Sequence, residues 1–389
     1  MKRRWLSRNL ILLALVSLAQ DAASELLYPL LPILLTGVIG AAPLALGLIE
    51  GCAEAAAGFT KLITGGASDR FGRKRFVIAG YTLAGIGKGL VVVATSWPLV
   101  FFGRITDRIG KGMRSAPRDA LIADSVESKD LGKAFGFHRT GDNIGAVIGP
   151  GIALIGLALL DGDVRAVAAW ALIPGIISAL LTLFIRDSFV KPKKQPKVSN
   201  KLYRQKLPTP LKRTIFLLSL IQLTNIPDAL LLLRLHDIGF STQGVVLSYM
   251  LFSAVTVIAA YPAGLITDKL SPQIAYAIGL SAFAIAYFSL GISERHSVAI
   301  LAIAIYGIFP ALTDGVGKAW IAKISGADIR GYAQGVYQAS MSFAILAAGI
   351  WGGLMWSKNA IQIPLVVAAT GAAIGGSVLA VNHLLRVRP

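Results

Sequence analysis

Residues 103–119 read GRITDRIGKGMRSAPRD, and the placement of this stretch decides the fold. It lies inside a window, 98–122, that otherwise has the look of a membrane span and is entered through Trp97 and Pro98. On a helix turning about 100° per residue with Arg104 at zero, Arg108 falls at about +40°, Lys111 at about −20° and Asp107 at about −60°. Arg118 falls at about −40°, Arg114 at about −80° and Asp119 at about +60°, so seven charges share an arc of about 140°. Ile105, Ile109, Met113 and Ala116 point the other way. A cation at mid-bilayer costs about 2.5–3.5 kcal/mol on an insertion scale, so Arg104, Arg108 and Lys111 facing lipid would cost about 8–10 kcal/mol. The stripe must face protein or water, which makes it the wall of a polar cavity.

The rest of the chain has a membrane protein's composition. Of 389 residues, 55% are hydrophobic and only 15% charged, against about 25% charged in an ordinary soluble domain. The net charge of +18 therefore speaks of topology and not of nucleic acid. One cysteine, Cys52, excludes an internal disulfide, and no Cys/His spacing resembles a zinc site. The basic N-terminus MKRRWLSRNL runs into a long apolar stretch without a small-residue cleavage site, which predicts a retained first span.

A span needs about 20 mostly apolar residues. That rule places spans at 9–35, 44–64, 75–95, 98–122, 133–160 and 166–185, then at 214–235, 243–266, 273–292, 297–322, 332–356 and 361–385. The expected fold is all-α and integral to the membrane, with twelve spans in two six-helix halves, 1–185 and 214–389, joined by a polar linker, 186–213. The loops on the side of the N-terminus carry 25 basic residues, while the opposite loops carry Arg165, Arg295 and Lys358 alone. This puts both termini and the linker in the cytoplasm. It also argues against reading 98–122 as a loop, since its five cations would then sit outside and the later loops would lose their agreement. Internal repetition supports two parallel halves. Gly65-x3-Asp69-Arg70 recurs as Gly264-x3-Asp268-Lys269, and Gly132-x-Ala134-x-Gly136 recurs as Gly331-x-Ala333-x-Gly335, both 199 residues on.

The segment GGASDRFGRKR, 65–75, resembles the loop signature of the major facilitator superfamily at Gly65, Asp69, Arg70, Gly72, Arg73 and Lys74. Its second copy departs from the pattern, with Ser271 where a glycine is expected. The resemblance implies a transporter of alternating access, in which this loop helps to lock one state. Gly145-x3-Gly149-Pro150 on the fifth span is similar to the glycine-proline signature of antiporters, although small-x3-small spacing is also common packing chemistry. GLIEGCAEAAAGFTKLITG, DRIGKGMRSAPRDALIADS and AFGFHRTGDNIGAVIGP resemble a bacterial and archaeal branch that includes nickel-resistance permeases and other exporters.

Ten cations and nine acids lie within the expected spans, and all but Lys88 fall on spans 1, 2, 4, 5, 7 and 10. The superfamily resemblance makes spans 1, 4, 7 and 10 the cavity lining. The expected solute and proton pathway comprises Asp21, Glu25, Glu50, Glu54, Arg104, Asp107, Arg108, Lys111, Arg139, Asp142, Asp228 and Asp314. Asp21 with Glu25, and Glu50 with Glu54, are each four apart on one helical face, and Asp21 or Glu54 is the expected coupling carboxylate. Asp314 and Lys318 are spaced as an intrahelical ion pair. Tyr249, Tyr306, Tyr337, Gln334 and Gln338 are candidate polar or aromatic contacts in the second half. Cys52 falls about 200° from Glu50 on its helix, so a soft-metal site is not supported, while carboxylates still suit a harder or borderline cation.

The expected function is proton-coupled export of a small solute, with cations and metals among the candidates, by a monomer in the inner membrane. Lipid, solute and protons are its partners, with no cofactor, resident metal or nucleic acid. Uptake or exchange of an organic anion on the Arg104/Arg108/Lys111 stripe, and translocation of an amphiphile, are alternatives on the same fold. An enzyme would need a nucleophile–base set or a metal motif at membrane depth, and the sequence shows neither.

Overall fold

The computed structural model describes residues 6–186, 207–326, 329–358 and 361–387, apart from the side chains at 65, 66, 69, 128, 268, 386 and 387. Most of the expected linker, 187–206, and positions 359–360 of an expected outward loop lie outside the described residues. The chain divides into two compact units, Met1–Ala41 with Cys52–Lys193, and Ala42–Gly51 with Lys194–Pro389.

In the first unit, α1 (Arg8–Leu27) starts at Ser7, whose Oγ accepts the Leu10 N–H at 3.1 Å. The span continues past Pro29 and Pro32 through a 3-10 turn (Tyr28–Leu30), a single turn α2 (Leu31–Ile33) and a π turn (Leu34–Val38). Each proline removes an N–H from the ladder, so the backbone re-registers without leaving helical space. Then come α3 (Pro43–Phe71), α4 (Arg73–Val92), α5 (Trp97–Asp124), α6 (Leu131–Leu159), α7 (Val164–Ala169) and α8 (Leu172–Thr182). Gly72 separates α3 from α4 at φ +96°, a conformation that costs glycine little and other residues much.

Close backbone approach organises this unit. A Cβ on Gly87 would stand 2.5 Å from the Gly103 carbonyl oxygen and from the Asp107 nitrogen. Gly80 and Gly110 meet in the same way farther along α4 and α5. Gly141, Gly145 and Gly149 of α6 lie against the carbonyls of Ala14, Leu18 and Ala22 of α1. Small residues at four- or seven-residue spacing remove the side-chain layer between helices, which substitutes for the hydrophobic drive that lipid does not supply.

The second unit contains α9 (Thr209–Gln222), α10 (Asp228–Asp237), α11 (Thr242–Lys269), α12 (Pro272–Ile292), α13 (His296–Tyr306), α14 (Ile308–Ile324), α15 (Arg330–Ser357) and α16 (Gln362–Val387). It also takes in the first turns of α3. There Gly47 abuts Gly349 backbone to backbone, and the Leu44 N–H donates to Ser357 Oγ at 2.9 Å. Stacked aromatics fill its centre, with Phe283 and Tyr287 3.9 Å apart at their ring centroids.

All twelve expected spans are helical, most with boundaries within a few residues of the sequence reading; the second runs seven residues further, to Phe71, and the seventh starts five earlier, at Thr209. Three of them are interrupted. The sixth breaks between α7 and α8, the tenth at Gly307, and the seventh between Gln222 and Asp228. Pro227 lacks an N–H and disfavours helical geometry at Ile226, which explains the last break. Side chains satisfy two carbonyls that this break exposes: Trp351 Nε1 donates to Leu223 O at 2.9 Å and Tyr287 Oη to Ile226 O at 3.2 Å. Among the described residues, nine helical segments are individually long and apolar enough to cross a membrane. The spans outside that set are α3, α5 and the α9–α10 pair, which are charged, broken or both.

Candidate functional site

Charge inside the first unit gathers around α5. The Lys88 Nζ of α4 donates to Asp107 Oδ1 at 2.9 Å, with both side chains buried. Arg104 Nη1 reaches Asp107 Oδ2 at 3.4 Å, and its guanidinium lies 5.8 Å from the centre of the Tyr28 ring. Across the helix, Arg108 Nη2 pairs with Glu54 Oε1 of α3 at 3.3 Å. One to two turns on, Arg114 lies over the Tyr81 ring at 4.6 Å. Arg118 donates to Ser17 Oγ at 3.1 Å and through Nε and Nη2 to Asp119 Oδ1 at 3.1 and 3.0 Å.

The stripe of seven charges is therefore divided. Its edge at Asp107 and Arg114 is buried against α4, and Arg108 turns towards α3. Lys111 is exposed. Sequence reasoning set Lys88 aside as the exception on span 3, yet it is the nearest cation to Asp107. The signal was present in its neighbour: Gly87 brings α4 so close to α5 that the next side chain reaches a carboxylate there.

Asp21 and Glu25 are half-buried on α1. A Cβ on Gly145 would meet Asp21 Cβ at 3.1 Å, and the charged neighbours of Asp21 are Asp142, Arg114, Glu25 and Arg118. On α6, His138 Nδ1 lies 3.5 Å from Asp142 Oδ2, and His138 is buried while Arg139 is exposed. Neither His138 Nε2 nor Asp142 Oδ1 has a hydrogen-bond partner among the described residues, although both atoms are buried. Glu50 is buried and belongs to the second unit's share of α3, whereas Glu54 belongs to the first.

In the second unit, Tyr306 Oη donates to Asp228 Oδ1 at 2.5 Å, joining a candidate aromatic to a candidate acid. Asp314 and Lys318 are exposed on α14, and Gln334 Nε2 donates to the Lys318 carbonyl at 2.5 Å. Among the described residues, no group of three His, Cys, Asp or Glu side chains is placed to hold a metal ion.

At the 65–75 loop, Gly65 lies within α3, Arg70 is exposed, and the Asp69 side chain is outside the described residues. Arg73 forms an ion pair with Asp124 at the end of α5, and Lys74 Nζ donates to Leu183 O at 2.9 Å, just past α8. One basic loop thus reaches two helix ends, Lys74 meeting a backbone carbonyl past α8 and Arg73 the carboxylate of the last residue of α5. Gly145 and Gly149 are packing positions against α1, and Pro150 follows them inside α6.

The family model described as Major Facilitator Superfamily matches residues 13–226 and 214–389. An uncharacterised MFS-type transporter of Methanocaldococcus jannaschii is 30% identical over 386 residues, spanning 97% of this chain and 95% of that protein. Multidrug resistance protein MdtH of Salmonella newport is 28% identical over 158 residues, spanning 41% of this chain and 39% of that protein. Of the solved structures, the nucleoside transporter NupG superposes with a TM-score of 0.79 at 13% identity, covering 96% of this chain and 98% of that one. A D-xylose-proton symporter superposes with a TM-score of 0.73 at 18% identity, covering 93% and 96%. At those identities the superpositions speak for the fold alone. The chain belongs to the major facilitator superfamily, and it is a multi-pass membrane transporter and not an enzyme.

Proposed function

We propose that the protein exports a small solute in exchange for protons by alternating access, with the polar core of the first unit as its solute and proton site. The observation that carries the reading is the concentration of charge there. Fifteen of the nineteen charges within spans lie in the first half, and several are buried in contact with one another. Burying charge is costly unless it is paired, and inside a membrane such groups mark solute and proton pathways. The name of the MdtH relative, a multidrug resistance protein, supports the outward direction.

Asp21 is the leading candidate for the coupling carboxylate. Two acids and two arginines are its charged neighbours, so the occupancy of one proton alters the balance of the group. Glu54 is the second candidate, held by Arg108, with Glu25 and Glu50 in support. The test is proton exchange by purified protein in liposomes, with and without a pH gradient, across a panel of cationic, metal-ion and neutral solutes. Asp21→Asn or Glu54→Gln should abolish solute-driven proton release while leaving yield near normal. Release equal to the parent in both variants, and in Glu25→Gln and Glu50→Gln, would overturn coupling through this cluster.

The excess of cations on α5 favours a second reading, uptake or exchange of an organic anion. In that case Arg104→Lys should keep partial binding of the anion, weakened by loss of the bidentate fork.

A further inference from the structure

The second unit holds a cavity that the transport reading leaves unused. Its volume is about 350 Å³, and its polar lining includes Arg213, Gln273, Trp320, Asn382 and His383. Leu217 and Leu379 form apolar parts of the wall. The depth of the cavity follows from its residues. Thr209 opens α9, Gln273 is the second residue of α12, and Trp320 and His383 each lie four residues before the end of α14 and α16. Residues about one turn from the end of a spanning helix sit at the level of the lipid headgroups, where Trp and Arg are at home.

The chemistry of the lining is one-sided. Among the described residues no aspartate or glutamate lines the cavity, and Arg213 supplies a fixed positive charge. The first turns of α9 and α12 both border it, adding the positive ends of two helices. At α12, Ser271 Oγ accepts the Ile274 N–H at 3.4 Å, so the cap does not use the N–H of Gln273. Trp320 is nine-tenths buried, and its indole is a donor only. Amides at Gln273 and Asn382 add further donors. A guanidinium, amides and helix N-termini with no acid among them suit a phosphate group. Next in sequence to the lining residues Leu217 and His383, Phe216 on α9 and Leu384 on α16 are exposed apolar side chains.

We propose that this cavity binds a phosphate-bearing anion, and that its occupant is the headgroup of an anionic phospholipid. The headgroup depth and the adjoining exposed apolar residues favour a lipid over free phosphate, because acyl chains would cover that surface. The assignment does not depend on which leaflet is contacted, since both carry phosphate.

Native mass spectrometry of the delipidated full-length protein tests it, with titrations of phosphatidylglycerol, phosphatidylcholine and inorganic phosphate. The parent should hold one phosphatidylglycerol about tenfold more tightly than Arg213→Gln does. Phosphatidylcholine should bind the parent more weakly than phosphatidylglycerol, and inorganic phosphate should not displace the lipid. Asn382→Leu, at a second exposed position on the lining, should weaken the same adduct. Equal retention of phosphatidylglycerol by the parent and both variants would overturn the site. Displacement by inorganic phosphate at millimolar concentration would overturn the lipid as its occupant. Solute-driven proton exchange is not read here, so failure of the transport reading would leave this result intact.

Discussion

At the scale of single residues, Lys88 and Asp107 form the pair whose loss should be felt most. Both are buried and 2.9 Å apart, and removing one partner of a buried pair costs up to about 3–5 kcal/mol, here moderated by Arg104, which stays 3.4 Å from Asp107. Lys88→Met should therefore lower the unfolding temperature in detergent, whereas Lys88→Met with Asp107→Leu should cost less than the two single changes added together. A double-mutant cycle by thermal fluorescence measures this directly. An additive result would show that the contact is energetically idle. That Arg104 and Asp107 turn away from lipid was legible, because charge within an apolar window must face protein or water. The identity of Asp107's nearest partner was not, because one helix's pattern says nothing of the register of its neighbour. The Tyr306–Asp228 bond was hidden for the same reason: the two residues are 78 positions apart.

At the scale of elements, the contact between α4 and α5 is a seam of backbone against backbone. A side chain added at Gly87 has nowhere to go, while one added at Gly85 on the same helix would meet nothing within 4 Å. Gly87→Val should therefore destabilise the protein by about 1–3 kcal/mol or more. Gly85→Val should be close to neutral, and thermal unfolding of the two variants side by side checks the contrast. Span positions were readable from apolar length, but the interruptions in spans were less so. The stretch from Ile215 to Leu235 is apolar enough overall to read as one span, although Thr224, Asn225 and Pro227 fall together in the break between Gln222 and Asp228. Whether a lone proline breaks a membrane helix depends on whether other helices supply donors, as Trp351 and Tyr287 do here. The same holds for the seventh span's charge, since Arg234 Nε finds the Leu290 carbonyl at 3.0 Å on another helix.

At the scale of the whole molecule, the uneven distribution of basic residues predicts sidedness. On a Cys52→Ser background, a cysteine at position 200 should react only with reagent from the cytoplasmic side, and Lys358→Cys only from outside. Labelling of position 200 from outside would invert the topology. The seam between α4 and α5 bears in addition on how the chain is made. Translation delivers α4 before α5, and α4 is apolar enough to enter lipid unaided. α5, with five cations, is a poor entrant by itself. Lys88 and the glycine face of α4 give α5 a partner when it must leave the insertion channel, so we expect the two to enter as a hairpin. A glycosylation reporter should show α5 failing to insert alone and inserting when α4 precedes it, with Lys88→Met and Gly87→Val each reducing the yield. The order of helices along the chain is then also an order of assembly, in which the helix least able to enter the membrane directly follows the one shaped to receive it.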